Sequence, residues 1–462
     1  MNASAHGVPT PVVHVVKGET IVGADQEFGP AHARFTTPKL DLDALVWSRK
    51  EPGPVFDTPL AEIMDVLVAT GERLTRDPDR SLAEALARNA RTNPLPLDVL
   101  ERSYASLGSL FNRRSMEFMV DQELGGPDVL DGWRAVERPS GRPARVRAFP
   151  PRLVHILAGN APGVAAQSII RGSLVKGVHL LKLPSNDLFS ATAILSAMAI
   201  AAPGHPLVKC FSAAYWRGGD EQVEGMLFRP QFFDKLVAWG GESTIRNAVK
   251  YIGPGFELVA FDPKTSISMI GREAFASEET LAMVAERAAA DATLMNQQAC
   301  TASRFQFIEG DAADIERYCA LLQSRLGVER PTASAQSSPI PGALREEIDG
   351  LRDLTDYYSV WGGYDGRGIV IRSEEPVDFQ PDHKVVNVVP VAKLEDALPY
   401  VTVATQTVGI YPPERKTALR DALASAGVQR VTALGGAGPE IGLPHDGFYP
   451  LHRFVRWVND EG

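Results

Sequence analysis

Short apolar runs alternate with segments of helical spacing, most regularly between residues 150 and 250. Each apolar run predicts a buried strand, and each is followed by glycine, proline or serine and then by an amphipathic or small-residue segment typical of a helix. The four predicted strands are Leu153–Leu157, Val178–Leu181, Leu207–Phe211 and Lys235–Trp239. Because short connections join strand to helix each time, the pattern predicts an α/β fold with a parallel sheet covered on both faces.

The regions before and after this core have other patterns. Residues 58–120 predict helices, with Thr58 as cap and Pro59 as the first helical residue, and residues 1–50 predict short strands. Residues 133–149 predict a surface hairpin with its turn at 139–141. The Pro-, Ser- and Ala-rich run 329–342 predicts an exposed loop.

A cysteine lies in a small polar turn in the second half. Apolar residues at helical spacing predict a helix over Glu278–Met295 with Ser277 as its N-cap, and Arg304–Ile308 predicts a strand. Cys300 falls in the connection between them, where a nucleophilic thiol would be accessible. The pattern alone leaves the alternative of a small buried residue open, because cysteines are among the most buried residues.

Composition narrows the class of protein. The chain has 462 residues, 44% of them hydrophobic, with a net charge of −10 and no basic stripe, so we expect a large enzyme and no nucleic-acid partner. Its three cysteines have no metal-ligand spacing and are too few for a disulfide framework, which predicts no bound metal and a reducing compartment. We see no signal peptide, and the most apolar run, 191–202, is too short to span a bilayer, so we expect a cytoplasmic protein without a transmembrane segment.

Three positions at predicted strand ends are candidates for binding or catalysis. Gly240-Gly241 precedes a helix and could admit a phosphate, or could be an ordinary turn. Asn160 could donate a hydrogen bond to an oxyanion, or could satisfy its own turn. Lys182 could contact a ribose or a phosphate, or could be solvated.

Six ordered segments together resemble the acyl-CoA reductase family of bacterial bioluminescence, the LuxC family, within the aldehyde dehydrogenase superfamily. They are 155–163 (HILAGNAPG), 180–185 (LLKLPS), 238–242 (AWGGE), 263–266 (PKTS), 296–300 (NQQAC) and 444–447 (PHDG). The resemblance implies an aldehyde dehydrogenase-like fold. We expect N-terminal helices and a Rossmann-like nucleotide-binding domain over 1–265, a catalytic α/β domain over 266–440, and a tail over 441–462. The hairpin at 133–149 and the tail would form a small β oligomerisation extension.

The resemblance also implies roles for individual residues. Cys300 matches the family nucleophile, and Asn160 matches the asparagine of the oxyanion hole. Gly240, Gly241 and Ser243 fall at the cofactor-contacting turn.

Ser185 precedes the position of a ribose-binding glutamate, which is Asn186 here. A neutral Asn186 removes repulsion against a 2′-phosphate, so NADPH is the expected cofactor. Lys182 lies one place out of register with the superfamily lysine, and a phosphate contact is expected of it.

The general base of aldehyde-oxidising relatives is missing, since Ala260 stands at the glutamate position. An acyl-cysteine that must be hydrolysed needs such a base to activate water. The resemblance therefore implies that Cys300 exchanges acyl groups with a thiol. We expect NADPH-dependent reduction of an acyl thioester, fatty acyl-CoA or acyl-carrier protein, to the aldehyde by a homodimer or homotetramer. The alternatives are a CoA-acylating aldehyde dehydrogenase working oxidatively and a cysteine acyltransferase or thioesterase without a redox step.

Overall fold

The computed structural model describes residues 8–438 and 440–461. Residues 1–7 of the predicted entry segment, Pro439 and the final residue of the tail lie outside the described residues. Two compact units are present. The first contains Ser103–Asp262, the described residues up to Asn93 and those from Ile441 onward, and the second contains Pro94–Arg102 with the described part of Pro263–Glu440.

The α-helices of the described chain are α1 (Leu60–Arg76), α2 (Ser81–Asn89), α3 (Leu97–Ser106), α4 (Arg113–Leu124), α5 (Asp128–Asp131), α6 (Gly163–Leu174), α7 (Ser190–Ala201), α8 (Glu221–Leu227), α9 (Glu242–Val249), α10 (Glu278–Ala292), α11 (Ala312–Leu326), α12 (Gly342–Asp353), α13 (Lys416–Ala426) and α14 (Pro450–Phe454).

The strands are β1 (Thr10–Pro11), β2 (His14–Val16), β3 (Glu19–Ile21), β4 (Gln26–Phe28), β5 (Phe35–Thr37), β6 (Arg134–Val136), β7 (Ala144–Phe149), β8 (Arg152–Ile156), β9 (Val178–Lys182), β10 (Phe211–Ala214), β11 (Lys235–Trp239), β12 (Glu257–Phe261), β13 (Thr265–Ile270), β14 (Ser303–Glu309), β15 (Tyr358–Trp361), β16 (Ile369–Ser373), β17 (Val385–Val391), β18 (Thr405–Tyr411), β19 (Arg430–Ala433) and β20 (Arg456–Glu461).

The first unit is built on a seven-stranded sheet of order β12-β11-β8-β9-β10-β2-β3. The five strands from β12 to β10 are parallel, and β2 and β3 complete the sheet antiparallel. β8, β9 and β11 are almost wholly buried, which explains their continuous apolar sequence. The predicted parallel α/β sheet is thus confirmed.

Two local predictions in this unit are wrong. The strand predicted at Leu207–Phe211 begins only at Phe211, because residues 206–210 form a 3₁₀ turn that starts with Pro206. The His205 ring caps this turn by accepting a hydrogen bond from the Leu207 N–H at 3.1 Å. Helix α1 begins at Leu60, one residue later than predicted, and Pro59 is its cap. The Leu60 N–H is satisfied from a distance in sequence, by the Asp131 carboxylate at 3.0 Å.

The second unit contains another seven-stranded sheet, of order β15-β16-β17-β14-β13-β18-β19. All neighbours are parallel except β15 and β16. Helices α10 and α11 bury their apolar faces together with β13, β14, β16 and β17. The residues from 329 to 341 carry only an isolated bridge between Arg330 and Ala333, in agreement with the predicted loop.

The hairpin predicted at 133–149 is confirmed as β6 and β7, and the tail joins it. β20 pairs antiparallel with β7 along six residues, giving a three-stranded sheet of order β20-β7-β6. The sheet is not entirely on the surface, because the Arg147 side chain is buried with its guanidinium carbon 4.2 Å from the Phe56 ring centre. Backbone pairing thus joins the tail, at Arg456–Glu461, to a strand that ends at Phe149.

Candidate active site

Cys300 lies beyond a strained turn at the end of α10. Ser277 caps the start of this helix, its Oγ accepting from the Thr280 N–H at 3.1 Å, and the helix ends at Ala292, three residues earlier than predicted. Met295, Asn296 and Gln297 then take left-handed φ values of 48°, 54° and 71°. Left-handed backbone costs a non-glycine residue about 1–2 kcal/mol, so the surrounding structure must hold this turn in place.

The side chains of the turn provide that support. The Asn296 amide accepts from the Ser334 N–H at 3.1 Å and donates to the Gln336 carbonyl at 3.3 Å. The Gln297 amide donates to the Val385 carbonyl at 2.9 Å and accepts from the Lys384 N–H at 2.6 Å. Both side chains are buried, so each of these bonds would be costly to lose.

Two buried cations bind carbonyls around the same turn. Arg304 donates to the Gln297 carbonyl at 2.7 Å, and Lys384 donates to the Leu326 carbonyl at 3.1 Å and to the Ser334 carbonyl. Burial is the main cause that lowers the pKa of Lys384 to about 8, and the neighbouring charge of Arg330 adds to it. The turn is therefore a rigid element fixed to β14, β17 and the 329–341 loop.

The backbone of Cys300 is held as well. Ser266, on β13, donates its hydroxyl to the Cys300 carbonyl at 2.8 Å and accepts from the Thr407 N–H of β18 at 3.2 Å. Cys300 is a partly exposed residue, whereas Cys210 and Cys319 are fully buried and burial raises the pKa of each to about 12. Of the three cysteines, Cys300 alone combines access with a fixed backbone.

The other candidate residues belong to the first unit, where they follow three neighbouring parallel strands. Asn160 follows β8, Lys182 ends β9 with Ser185 and Asn186 just beyond it, and Gly240, Gly241 and Ser243 follow β11. Since β11, β8 and β9 are adjacent and parallel, these residues share one edge of the sheet. The carboxyl ends of parallel strands are where such sheets bind ligands.

The turns that carry Asn160 and Asn186 pack against each other. A Cβ placed on Gly159 would lie only 2.0 Å from the Asn186 side-chain oxygen, so only glycine fits there. The Asn93 amide donates to the Gly159 carbonyl at 2.8 Å and so helps to fix the same turn. Asn160 and Asn186 are both partly exposed.

Lys182 is buried rather than solvated. Its ammonium lies 5.6 Å from the Tyr215 ring centre and 5.7 Å from that of Trp216, and burial lowers its pKa to about 8 against the opposing effect of Glu224. The Glu224 carboxylate is engaged by the Trp216 indole at 3.3 Å and the Asn247 amide at 2.7 Å. Lys182 is thus a desolvated cation at the ligand-binding edge of the sheet.

Gly240 and Gly241 have different roles in their turn. A Cβ on Gly240 would lie 2.9 Å from the Thr244 side chain, whereas a Cβ on Gly241 would meet nothing within 4 Å. Gly241 is the exposed N-cap of α9. The space beside it is open to a ligand that approaches the helix N-terminus.

Comparison with known proteins identifies the family of the chain. The sequence model of the acyl-CoA reductase (LuxC) family matches residues 55–457, which is most of the chain. The chain belongs to the LuxC acyl-CoA reductase family.

Curated relatives of this LuxC-family chain are named for one activity. It is 30% identical over 371 residues to a long-chain acyl-protein thioester reductase of Aliivibrio fischeri, covering 76% of this chain and 72% of the relative. The chain is 28% identical over 419 residues to the reductase of the same name from Vibrio harveyi, and the match covers 88% of this chain and 83% of the relative.

Solved structures show the aldehyde dehydrogenase fold for this LuxC-family chain. An NADP-dependent glyceraldehyde-3-phosphate dehydrogenase from Bacillus halodurans, solved with NADP, aligns with a TM-score of 0.72 at 14% identity over 98% of this chain and 99% of that one. An NAD-dependent benzaldehyde dehydrogenase from Corynebacterium glutamicum aligns with a TM-score of 0.71 at 13% identity over 98% of both. Because both cofactors occur with this fold, the fold alone does not select one. No helix in the described part of the chain is long and apolar enough to cross a membrane.

Sequence reasoning missed the residues that support the LuxC-family cysteine. Gln297 lies within segment 296–300 and Ser266 within 263–266, but the sequence predicts no role for either residue. Lys384 and Arg304 gave no local signal, because their partners are carbonyls of loops distant in sequence. The sharp end of the helical pattern before three polar residues was the one available indication of the turn.

Proposed function

We propose that the protein reduces a long-chain acyl thioester to the aldehyde with NADPH, through an acyl-cysteine on Cys300. The observation that carries the proposal is the contrast among the three cysteines, since Cys300 is partly exposed on a fixed backbone and the other two thiols are buried. Family membership and the names of the curated relatives support thioester reduction. Those names favour an acyl group carried on a protein, and the family description favours acyl-CoA.

The residues at the carboxyl edge of the first sheet fit an NADPH molecule. The buried ammonium of Lys182 offers a cation to a phosphate, and the open side of Gly241 at the start of α9 suits a pyrophosphate. Ser185 and the neutral Asn186 would face the adenosine ribose, where a 2′-phosphate meets no carboxylate from either residue. Ser243, in the first turn of α9, would complete the phosphate contacts.

The proposed reaction begins with the thiolate of Cys300. Its sulfur forms a bond to the acyl carbonyl carbon, the bond from that carbon to the carrier sulfur breaks, and the carrier leaves as a thiol after taking up a proton. Asn160 and the Cys300 N–H would stabilise the oxyanion, and loss of such a donor costs about 10²–10³ in rate. NADPH, when bound, supplies the hydride that brings the acyl group to the oxidation level of an aldehyde. The carbon–sulfur bond to Cys300 then breaks, which releases the aldehyde and regenerates the thiolate.

Ala260 supports a thiol rather than water as the partner in acyl exchange. It lies in β12, beside Ala238 of β11, and its methyl group cannot activate water. Deacylation by hydrolysis would therefore lack a base at this position. The acyl-cysteine can persist until it is reduced.

The first test is acylation of Cys300. We expect Cys300→Ala to abolish both the mass increase on incubation with acyl thioesters and aldehyde formation, while Cys210→Ala, which changes a buried thiol, retains both. Intact-mass analysis with a panel of acyl-CoAs and acyl-carrier proteins would report acylation, carrier and chain preference together. Acylation that persists in Cys300→Ala would contradict the proposal.

The second test is cofactor preference at Asn186. We expect Asn186→Glu, and the equally sized Asn186→Asp, to shift the ratio of kcat/KM values about tenfold towards NADH, because a carboxylate repels the 2′-phosphate. Asn459→Asp makes the same charge change on the exposed strand β20 and should leave the ratio unaltered. A wild-type enzyme that already prefers NADH would overturn the interpretation of Asn186.

Two measurements separate the remaining alternatives. Comparing forward and reverse rates distinguishes a reductase from a CoA-acylating aldehyde dehydrogenase. Fluorescence titration with NADPH distinguishes both from an acyltransferase or thioesterase, which has no use for the cofactor.

A further inference from the structure

A cavity lies at the edge of the first sheet opposite to the proposed cofactor site. It has a volume of about 380 Å³ and is lined by residues 49–53, Phe56, residues 149–152, residues 176–178 and Arg456. Arg152 and Val178 begin the paired strands β8 and β9, so the cavity opens at their amino ends. A volume of this size is in the range of small-ligand sites.

The lining is strongly basic in an acidic chain. Five of the lining residues are cationic and only one, Glu51, is acidic, although the whole chain has a net charge of −10. The cations are Arg49, Lys50, Arg152, Lys176 and Arg456. Lys176 is buried and paired with Asp131 at 3.1 Å, which leaves Lys50 and the three arginines as the cations available to a ligand.

Three of these arginines share a single carboxylate. Asp234 contacts the Arg49 guanidinium at 2.9 Å and that of Arg456 at 3.7 Å, and it accepts from the backbone N–H of Arg152 at 2.8 Å. Arg49 and Arg456 both lower the pKa of Arg152, after the larger effect of burial. One carboxylate thus leaves the cluster with excess positive charge.

Arg152, which lines the cavity, has one donor without an acceptor. Its Nη2 donates to the Glu51 carbonyl at 3.0 Å, but its Nη1 is buried and has no hydrogen-bond partner among the described residues. A buried guanidinium nitrogen without an acceptor is costly. An oxyanion in the cavity would offset the repulsion among the arginines.

We propose that this cavity binds a small phosphate-bearing anion, with the phosphate held by Arg49, Arg152 and Arg456. The remaining wall is apolar, made by Phe149, Pro150 and Pro151, so the volume beyond the phosphate suits the organic part of a phosphate monoester. Arg456 already lies over the Phe149 ring at 5.2 Å, which keeps its guanidinium at the cavity. The site is distinct from the proposed cofactor edge, because the five-residue strands β8 and β9 separate the two by about 15 Å.

The test measures binding of inorganic phosphate and of glycerol 3-phosphate to the full chain at constant ionic strength, with chloride as reference. We expect either anion at saturation to raise the thermal midpoint by about 1–3 °C. Arg456→Gln and Arg49→Gln should each weaken binding about tenfold or more. Arg145→Gln, on an exposed arginine of the same three-stranded sheet as Arg456, should bind as wild type does.

The outcomes are separable from those for the proposed function. Phosphate binding that is unchanged in both Arg456→Gln and Arg49→Gln would place the anion elsewhere, for example at the cofactor edge, and overturn the proposal. Absence of any midpoint shift or heat of binding with either anion would also overturn it. Neither result depends on Cys300 or on NADPH, so acyl-enzyme formation can be tested independently.

Discussion

Two adjacent histidines of the first sheet are kept neutral by burial. His155 and His179 lie side by side in the first sheet, with His155 Nε2 and His179 Nδ1 3.1 Å apart and His179 Nε2 2.9 Å from the Gly172 carbonyl. Since a carbonyl can only accept, His179 carries its proton on Nε2, and His155 must donate to its Nδ1. Burial lowers the pKa of His179 to about 3 and that of His155 well below its usual range.

This neutral pair predicts an acid-sensitive contribution to stability. Below pH about 6.5 the unfolded chain protonates His179 while the folded chain does not, so the folded state loses about 1.4 kcal/mol per pH unit as pH falls towards 4. We expect His179→Gln to be less stable than wild type at pH 7.5, and the difference to shrink by about that slope between pH 6 and 4.5. Urea unfolding at several pH values measures it.

The comparison with wild type is necessary because buried carboxyls act in the opposite direction. Burial raises the pKa of Glu123 to about 7 and those of Asp187 and Asp291 to about 6, so their folded forms bind protons first as pH falls. That contribution is common to wild type and variant and cancels in the difference. The exposed His32→Gln serves as the matched control, and a pH-independent difference for His179→Gln would contradict the argument.

At the scale of elements, the junction between α10 and β14 is held by side chains rather than by regular backbone pairing. Three consecutive left-handed residues are fixed by the hydrogen bonds of Asn296 and Gln297 to loops before β17 and after α11. This turn also determines where the chain enters the second sheet, at Ser303. The position of Cys300 therefore depends on residues that never contact a substrate in the proposed reaction.

We predict that Gln297→Ala disturbs this junction. It would leave the Lys384 N–H and the Val385 carbonyl without partners, at a cost of about 2–5 kcal/mol in unfolding free energy. Acylation of Cys300 should slow about 10–100-fold, because a small displacement of a nucleophile from its reactive position lowers the rate. NADPH affinity should be unchanged. Stopped-flow acylation and equilibrium unfolding measure the two effects.

Gln336→Ala is the matched control for that variant. Gln336 is exposed and supports Asn296 through its backbone carbonyl, which the substitution retains. Wild-type acylation kinetics in Gln297→Ala would show that the turn does not position the thiol.

At the scale of the whole molecule, the predicted homo-oligomer remains a prediction. The three-stranded sheet has two outer strands, β6 and β20, whose outer edges pair with no strand of the described chain. Trp133, Val136 and Trp457 lie in or beside these strands and are each about 40% exposed, with values of 40%, 39% and 40%. Open edges bearing large apolar side chains are typical of surfaces that pair with another chain.

We expect light scattering after size exclusion to give two or four times the chain mass. Val136→Lys and Trp457→Lys should shift the protein towards the monomer, because a charge on an edge strand opposes strand pairing. Val22→Lys, at an exposed apolar residue away from this sheet, is the control and should leave the mass unaltered. A monomeric wild type would remove the proposed role of the extension.

The sequence by itself determined the α/β class, the buried strands β8, β9, β11 and β14, and the family, but it did not predict β12, β13, β18 or β19. Local periodicity encodes buried strands such as β8 and β9, and short motifs survive because each turn needs particular residues, as Gly159 shows. Only the tertiary structure decided that Cys300 is the accessible thiol, that Lys182 is buried, and that the tail pairs with β7. These depend on contacts between segments far apart in the chain, which no local pattern of hydrophobic and polar residues specifies.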